Sequence, residues 1–419
     1  MDWNPAAVRA LRKALRYSQE DLGQKLGAST KTIRSWEHGE HRPRPYHEQA
    51  LDTVRERMSL DQRQWFEALL SETGSAALGS DVQGSFDVLD SSLDIAERIQ
   101  WISASNVDDI ALNQIDGAIA DLIQQYERLG PSLLAAQAVR NRKWVDGLIH
   151  ERQHPHQREQ LYVAAARLSG ILAAIALDLG RQPLARAYAV EAFHLAQLAR
   201  REDVQAWVLG TQSLIEYYAG NFLIALAHAR QGQAIAGRGG QDVRLILNGE
   251  ARALSRLNDA PGVEDAVQRG LALVDQDSTT KDVSASLTLD SYCYARAAGN
   301  AATAYLWIGQ PTKARIYAEQ ALATFDAQGL QGPRALTRLD IAVSLVQDAS
   351  HAEPERAAVL THEALTVAGA QQFQPIAQRA EEFVTAAAPW RDIAAVREVA
   401  ELTKDLSSST GTFMLPEGD

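Results

Sequence analysis

The first apolar rhythm in the chain is helical. In the segment PAAVRALRKALR, Val8, Leu11 and Leu15 recur at three- and four-residue spacing, which puts them on one face of a helix. Ser18 then precedes Gln19-Glu20-Asp21. A hydroxyl residue followed three positions later by an acid is a helix start, because each side chain satisfies a backbone donor of the other. The spacing predicts a second helix from Gln19 to Leu26, with Leu22 and Leu26 inward and Gly27 as its stop. Ser29 caps a third helix with Ile33 and Trp36 on its inner face. Gly39 closes it in the left-handed conformation that helix C-termini favour. The outward face of this third helix carries Thr30, Lys31, Arg34 and Ser35, all donors, with no carboxylate among them.

Beyond this head the pattern changes twice. Residues 71–85, SETGSAALGSDVQGS, have no apolar period and read as a flexible linker. Residues 86–405 are helix after helix with short Gly, Asn, Asp or Pro breaks, and 406–419 reads as a flexible tail. Five breaks are each followed by an Ala-rich helix with a small or short residue at Ala185, Ala225, Val263, Ala314 and Ala357. A second small residue follows seven positions later, at Ala192, Gly232, Gly270, Ala321 and Ala364. Two small residues seven apart share a helix face and let a neighbouring helix come close. The unit is helix–turn–helix, repeated, and the fold class is all-α: a helical head over residues 1–70, then a solenoid of helical pairs.

Composition agrees with helix. Ala and Leu dominate, and runs of β-branched residues are scarce. Charge adds something the periodicity does not. Residues 1–58 hold 11 Lys/Arg against 8 Asp/Glu, a net +3, while the rest holds 30 against 45, a net −15. Only the head has a balance suited to a polyanion; the array would be repelled by DNA or an acidic membrane. The single cysteine, Cys293, excludes an internal disulfide and points to a reducing, cytoplasmic setting. No secretory signal is visible, and no uncharged apolar run of about 18 residues stands out as a membrane span.

Two short helices joined by a three- or four-residue turn can seat the second helix in a major groove. The pattern Arg12, Ser18-Gln19, Leu22, Leu26-Gly27, Ser29, Thr32-Ile33, Trp36-Glu37, Gly39 and Pro43 resembles the XRE family of lambda-repressor and Cro-type regulators over about residues 7–60. The resemblance implies that Gln19 bonds a phosphate or a base edge and that Thr30, Lys31 and Ser35 face bases. It puts Arg34 on a phosphate or base, and Ser29 among the DNA-contacting positions. It implies an internal ion pair between Arg12 and Glu37, with Trp36 in the core. Arg42 and Arg44, in HRPRP, either reach phosphates or form only a stiff exit. Thr30 stands where some members carry a bidentate Gln, so the operator is not readable from these side chains.

The array resembles tetratricopeptide (TPR) repeats, although its markers step by 38 to 51 residues and its signatures are degenerate. In such arrays the first helix of each unit lines the concave face. That register proposes Arg167 and Asp178, then Trp207, Leu214, Tyr217 and Tyr218, then Asn248, Arg252 and Arg256, then Arg296 and Trp307 as ligand-facing positions. Residues such as Tyr217 and Trp207 are more often packing between repeats. A head of this type followed by such an array resembles actinobacterial XRE–TPR regulators and the RRNPP peptide-pheromone receptors of quorum sensing. That resemblance implies a homodimer whose array binds a short peptide or small effector and shifts its DNA-binding heads. The partners expected are an operator duplex and that signal, with no membrane. The alternatives are a protein-interaction scaffold tethered to DNA and a ligand-independent repressor.

Other clusters point elsewhere only faintly. His150, His154 and His156 lack paired acids and read as a polar loop rather than a metal site. AGRGGQD at Ala236 lacks the lysine and strand of a phosphate loop. No nucleophile, base and acid come together, so no metal, no cofactor and no enzyme are expected.

Overall fold

A computed structural model describes residues 1–75, 92–236, 240–276, 283–348, 350–371 and 373–410. The chain divides into two compact units, Met1–Ile102 and Ser103–Asp419.

The first unit contains α1 (Pro5–Ala14), α2 (Gln19–Leu26), α3 (Thr30–His38), α4 (Pro45–Glu56), α5 (Leu60–Ser75) and almost all of α6 (Ser92–Ser103). Local chemistry fixes the first three starts. The Asn4 side chain caps the Ala7 N–H, with Pro5 at the first helical position. Ser18 and Asp21 cap α2 reciprocally, and Ser29 accepts from the Thr32 N–H. Gly27 and Gly39 both take positive φ, at 65° and 77°. Val8, Leu11, Leu22, Leu26, Ile33, Trp36 and Leu51 form the buried centre, where burying each large apolar side chain is worth about 1.5–3 kcal/mol before entropy is charged. Trp3 closes it against Phe66 of α5, ring centroids 6.3 Å apart, and donates its indole N–H to Asp52.

Helix α5 runs through Ser75, so residues 71–75 are helical where the composition suggested a linker. The rest of that expected linker, 76–85, lies outside the described residues. At the other end α20 continues to Thr410, past the expected start of the tail at 406, and 411–419 lie outside the described residues.

The second unit is a TPR-like solenoid. It opens with α7 (Asp109–Leu129) and α8 (Pro131–Ile149), followed by α9 (Pro155–Asp178), α10 (Gln182–Leu198), α11 (Glu202–Tyr218) and α12 (Phe222–Ala236). A π-helical segment, Arg244–Ala251, runs straight into α13 (Arg252–Arg256). Then come α14 (Ala260–Gln276), α15 (Tyr294–Trp307), α16 (Pro311–Gln328), α17 (Gln331–Gln347), α18 (Pro354–Gln371), α19 (Gln374–Ala386) and α20 (Ala394–Thr410). Six helical pairs follow one another: α9 with α10, α11 with α12, the π-segment and α13 with α14, α15 with α16, α17 with α18, and α19 with α20. The tight turns inside four of the pairs carry a left-handed residue, Gly180, Gly220, Asn258 and Gly309.

The small residues at spacing seven in the second helices are buried in all five cases. The first helices form a continuous inner row in which each touches the next. The row also closes on itself, because α7 meets α17 and α9 meets α19. Helix α9 is long and apolar enough, by length and composition, to cross a membrane; 78% of its most apolar window is buried inside the solenoid, as befits a core helix.

The tightest approach in the row is between α9 and α11. A Cβ placed on Gly170 would lie 2.1 Å from the Trp207 ring, so no side chain fits there without moving the indole. Gly170→Ala is expected to destabilise the chain by roughly 1–3 kcal/mol, the usual cost of overpacking. Urea unfolding followed by tryptophan fluorescence reads this directly; an unchanged midpoint would contradict the packing described.

Candidate nucleic-acid interface and ligand chamber

The head holds its third helix with one buried carboxylate. Glu37, only 3% exposed, accepts from Arg12 Nε at 2.6 Å and from Gln19 Nε2 at 2.6 Å. Arg12 also reaches the Tyr17 carbonyl, and Arg9 reaches the Glu37 carbonyl. Helices α1, α2 and α3 are thereby tied at one point. The Arg12–Glu37 contact is the ion pair that the sequence pattern implied. Gln19 makes a contact that the sequence did not announce, its amide nitrogen donating to Glu37 inside the unit. Ser29 is also engaged, its hydroxyl accepting from Thr32 N–H and sharing a bond with the Thr32 hydroxyl.

The outward face of α3 holds what remains. Thr30, Lys31 and Arg34 are exposed, and Ser35 is half-buried with its hydroxyl bonded to His41 Nδ1 at 2.9 Å. Arg42 stands 3.7 Å from Asp2, both highly exposed, a geometry worth little in water. Arg44 is exposed at the N-terminus of α4. Among the described residues Lys31, Arg34 and Arg44 have no carboxylate partner. The turn before α3 needs Gly23, where a Cβ would sit 2.6 Å from the Ala28 carbonyl oxygen.

Inside the second unit, the closed inner row surrounds a chamber of about 180 Å³ that opens to solvent. Apolar walls come from Leu214, Phe325, Leu336 and Phe373, and aromatic hydroxyls from Tyr126, Tyr218 and Tyr292. The charged groups are Glu127, Asp178 and Asp340 against Arg252, Arg296 and Arg379. Arg296 donates to Glu127 across the gap between α15 and α7, both side chains buried. Arg379 donates to Asp340, whose other oxygen accepts from Thr303 at 2.5 Å, and Arg379 Nε stands 2.9 Å from Glu382. Burial opposes the Arg379 charge, but Asp340 and Glu382 more than offset it and hold its pKa above the ordinary arginine value.

Asp178 and Tyr126 form a buried pair in which the phenol donates to the carboxylate. Burial pushes the Asp178 carboxyl up to about 7, the Tyr126 hydrogen bond opposing and the Glu127 charge assisting. Burial likewise raises the Tyr126 phenol well above its ordinary value.

Of the ligand-facing positions read from the sequence, Asp178, Leu214, Tyr218, Asn248, Arg252 and Arg296 line this chamber. The others do not. Trp207 is 1% exposed and packs in the core under Arg244, so it is corrected to a packing residue. Tyr217 is buried between Tyr218, Phe222 and Arg252. Trp307 lies beneath Arg256, whose guanidinium pairs with Glu382 at 2.8 Å. Arg167 pairs with Asp116 of α7 at 3.8 Å instead of facing the chamber.

The chamber residues that sequence reasoning missed include Tyr126 and Glu127 on α7, and Thr303, Asp340 and Arg379 on later helices. A lone Asp in the apolar run LTRLDIAVSLV was the one available signal for Asp340. The three histidines give no metal cluster: among the described residues no group of three or more His, Cys, Asp or Glu is arranged to hold one.

Residues 8–46 match the family profile described as helix-turn-helix, so the head is a helix-turn-helix domain of the XRE type. No curated protein sequence matches the chain. Among solved structures, the chain is similar to the Rap protein in complex with competence and sporulation factor, at 11% identity and a TM-score of 0.42, covering 72% of this chain and 99% of that one. It is also similar to BtubC from P. vanneervenii, at 15% identity and a TM-score of 0.30, covering 69% of this chain and 95% of that one. A third is a STAND protein with a tetratricopeptide repeat sensor, PH0952 from Pyrococcus horikoshii, at 11% identity and a TM-score of 0.42, covering 96% of this chain and 64% of that one. The solenoid assignment rests on the packing of the chain itself.

Two outcomes follow from these geometries. Glu37→Ala leaves three donors without their acceptor at a buried point, and a loss of roughly 3–5 kcal/mol in head stability is expected, measured by chemical denaturation. The Asp178 carboxyl ionises near 3.8 when unfolded and near 7 when folded. The folded state therefore holds the extra proton between those values. Its contribution is fully present below about 3.8 and is lost as pH rises through about 7. The stability of the native chain relative to Asp178→Asn is expected to fall by up to about 1.4 kcal/mol per pH unit between pH 5 and 6.5. A flat difference over that range would contradict the buried, protonated carboxyl.

Proposed function

We propose that this chain is a cytoplasmic, homodimeric transcription regulator whose helix-turn-helix head reads an operator and whose solenoid chamber holds an effector that alters operator binding. The observation that carries the DNA reading is the α3 face. Lys31 and Arg34 stand exposed and without carboxylate partners on a helix whose seat is fixed by the Arg12–Glu37–Gln19 contact. A rigid helix with free donors is what major-groove readout needs. Thr30, Lys31, Ser35 and Arg34 are the proposed contacts, with Arg44 and Arg42 reaching phosphates.

Two observations support a dimer. A head with net +3 makes few phosphate contacts, and a second head on an adjoining half-site restores affinity. On α6, Ile95, Ile99 and Ile102 share one helical face and are exposed. The chamber supports an effector of limited size. A volume of about 180 Å³, below the roughly 300–1,000 Å³ of drug-sized sites, suits a small metabolite or the end of a short peptide better than a folded protein.

Genome-wide footprinting of the full chain is expected to return a two-fold symmetric site. On that duplex, Lys31→Ala should cost roughly 1–3 kcal/mol and relax preference at one base position, whereas Arg34→Ala should weaken all sequences alike. Equal binding by Lys31→Ala and the parent would overturn the α3 assignment. An effector that fits the chamber should shift operator affinity about 5- to 150-fold. Operator affinity unmoved by every compound that binds the chamber would overturn the switching role.

A further inference from the structure

Four arginines sit on the inner row around α13, α15 and α19, and three of them are matched by acids. Arg296 has Glu127, Arg379 has Asp340 and Glu382, and Arg256 has Glu382. Arg252 has none. It is 6% exposed and lines the chamber. Its Nη1 donates to Asn248 Oδ1 at 2.6 Å and its Nη2 to the Tyr218 hydroxyl at 3.3 Å, and its Nε has no partner. The guanidinium lies over the Tyr217 ring, 4.3 Å from its centroid, which orients it without neutralising it.

One other buried arginine lacks a carboxylate among the described residues, and the comparison is instructive. Arg244 is held by the Trp207 carbonyl, Thr211 and Gln241, and it does not line the chamber. Of the two, Arg252 is the one that lines the chamber; Asp340, the carboxylate that acts on it, does so from beyond ion-pair distance and is itself paired with Arg379. A buried guanidinium never loses its proton, so its charge is either matched or carried at a cost of several kcal/mol. Asp178 does not supply the match, since its pair with Tyr126 is a separate contact.

We propose that the chamber is built for a ligand carrying one carboxylate, which docks on Arg252 beside Asn248, with its apolar remainder against Leu214, Leu336 and Phe373. The proposal rests on the effector-binding reading above and names the effector's chemistry. Arg252 lines the chamber, and a guanidinium carries N–H donors that can pair with both oxygens of a carboxylate. Asn248 is placed next to it by the π-helical turn of Arg244–Ala251 and offers an amide for the group that precedes the carboxylate. The carboxylate can come from the C-terminus of a short peptide or from a free organic acid.

The test uses the full chain and paired probes. One arm titrates a library of apolar tri- and tetrapeptides with free C-termini against the same library amidated. The second arm titrates phenylacetate, indole-3-acetate and octanoate against their primary amides. Binding is read by calorimetry. At least one free acid is expected to bind, and its amide to bind about tenfold or more weakly. The arm in which this occurs identifies the source of the carboxylate. Arg252→Met, which keeps the apolar stem, should bind acid and amide alike. Amides that bind the parent chain as tightly as acids would overturn the carboxylate assignment while leaving the effector chamber standing. A chain that binds no member of either arm would overturn the chamber reading and this proposal together. The acid-to-amide ratio is measured on the parent chain, so the result does not depend on Arg252→Met folding.

Discussion

The solenoid depends on a buried ion pair between residues far apart in sequence, Glu127 of α7 and Arg296 of α15. Both side chains are out of water, and neither ion is tolerable there alone. The pair forms only when the first helix of the unit lies against the middle of the row. An open superhelix would leave both groups exposed or unmatched. Closure brings the Tyr126–Asp178 pair, the α7–α17 contact and the α9–α19 contact with it. The chamber is therefore a product of closure, and its walls come from helices that are remote in the chain.

The same logic of buried polar groups runs through both units. In the head, Glu37 gathers Arg12 and Gln19 at one point and fixes how α3 is presented. In the array, Asp340 gathers Thr303 and Arg379. In each case a single acid between helices converts apolar packing, which is tolerant of sliding, into one register. Arg252 departs from that rule by lacking an acid, and it does so in the chamber.

Much of the head was legible in the sequence. Caps at Ser18 and Ser29, stops at Gly27 and Gly39, and the Ile33–Trp36 face are local signals, and local chemistry decides them. The Arg12–Glu37 contact was legible only through a family pattern. The Gln19 contact with Glu37 was not legible, because its partner lies eighteen residues later. In the array, the small residues of the second helices announced themselves, since close helix approach demands them whatever the rest of the sequence does. The inner positions of the first helices were harder. Trp207 and Tyr217 satisfy the spacing of a groove residue and of a packing residue equally, and the choice falls on whether Gly170 leaves room behind the indole. Glu127, Asp340 and Arg379 were missed because their partners lie dozens to more than a hundred residues away. No periodicity encodes a closed ring.

The measurement that bears most directly on this account is a double-mutant cycle on the closing pair. Urea unfolding free energies of the native chain, Glu127→Gln, Arg296→Met and the double variant isolate the pairwise energy. Closure through a buried pair predicts that each single change costs roughly 3–5 kcal/mol and that the double costs less than their sum by about 2 kcal/mol or more. Single effects that add to within about 0.5 kcal/mol would mean that the two residues do not meet, and the closed chamber would go with them.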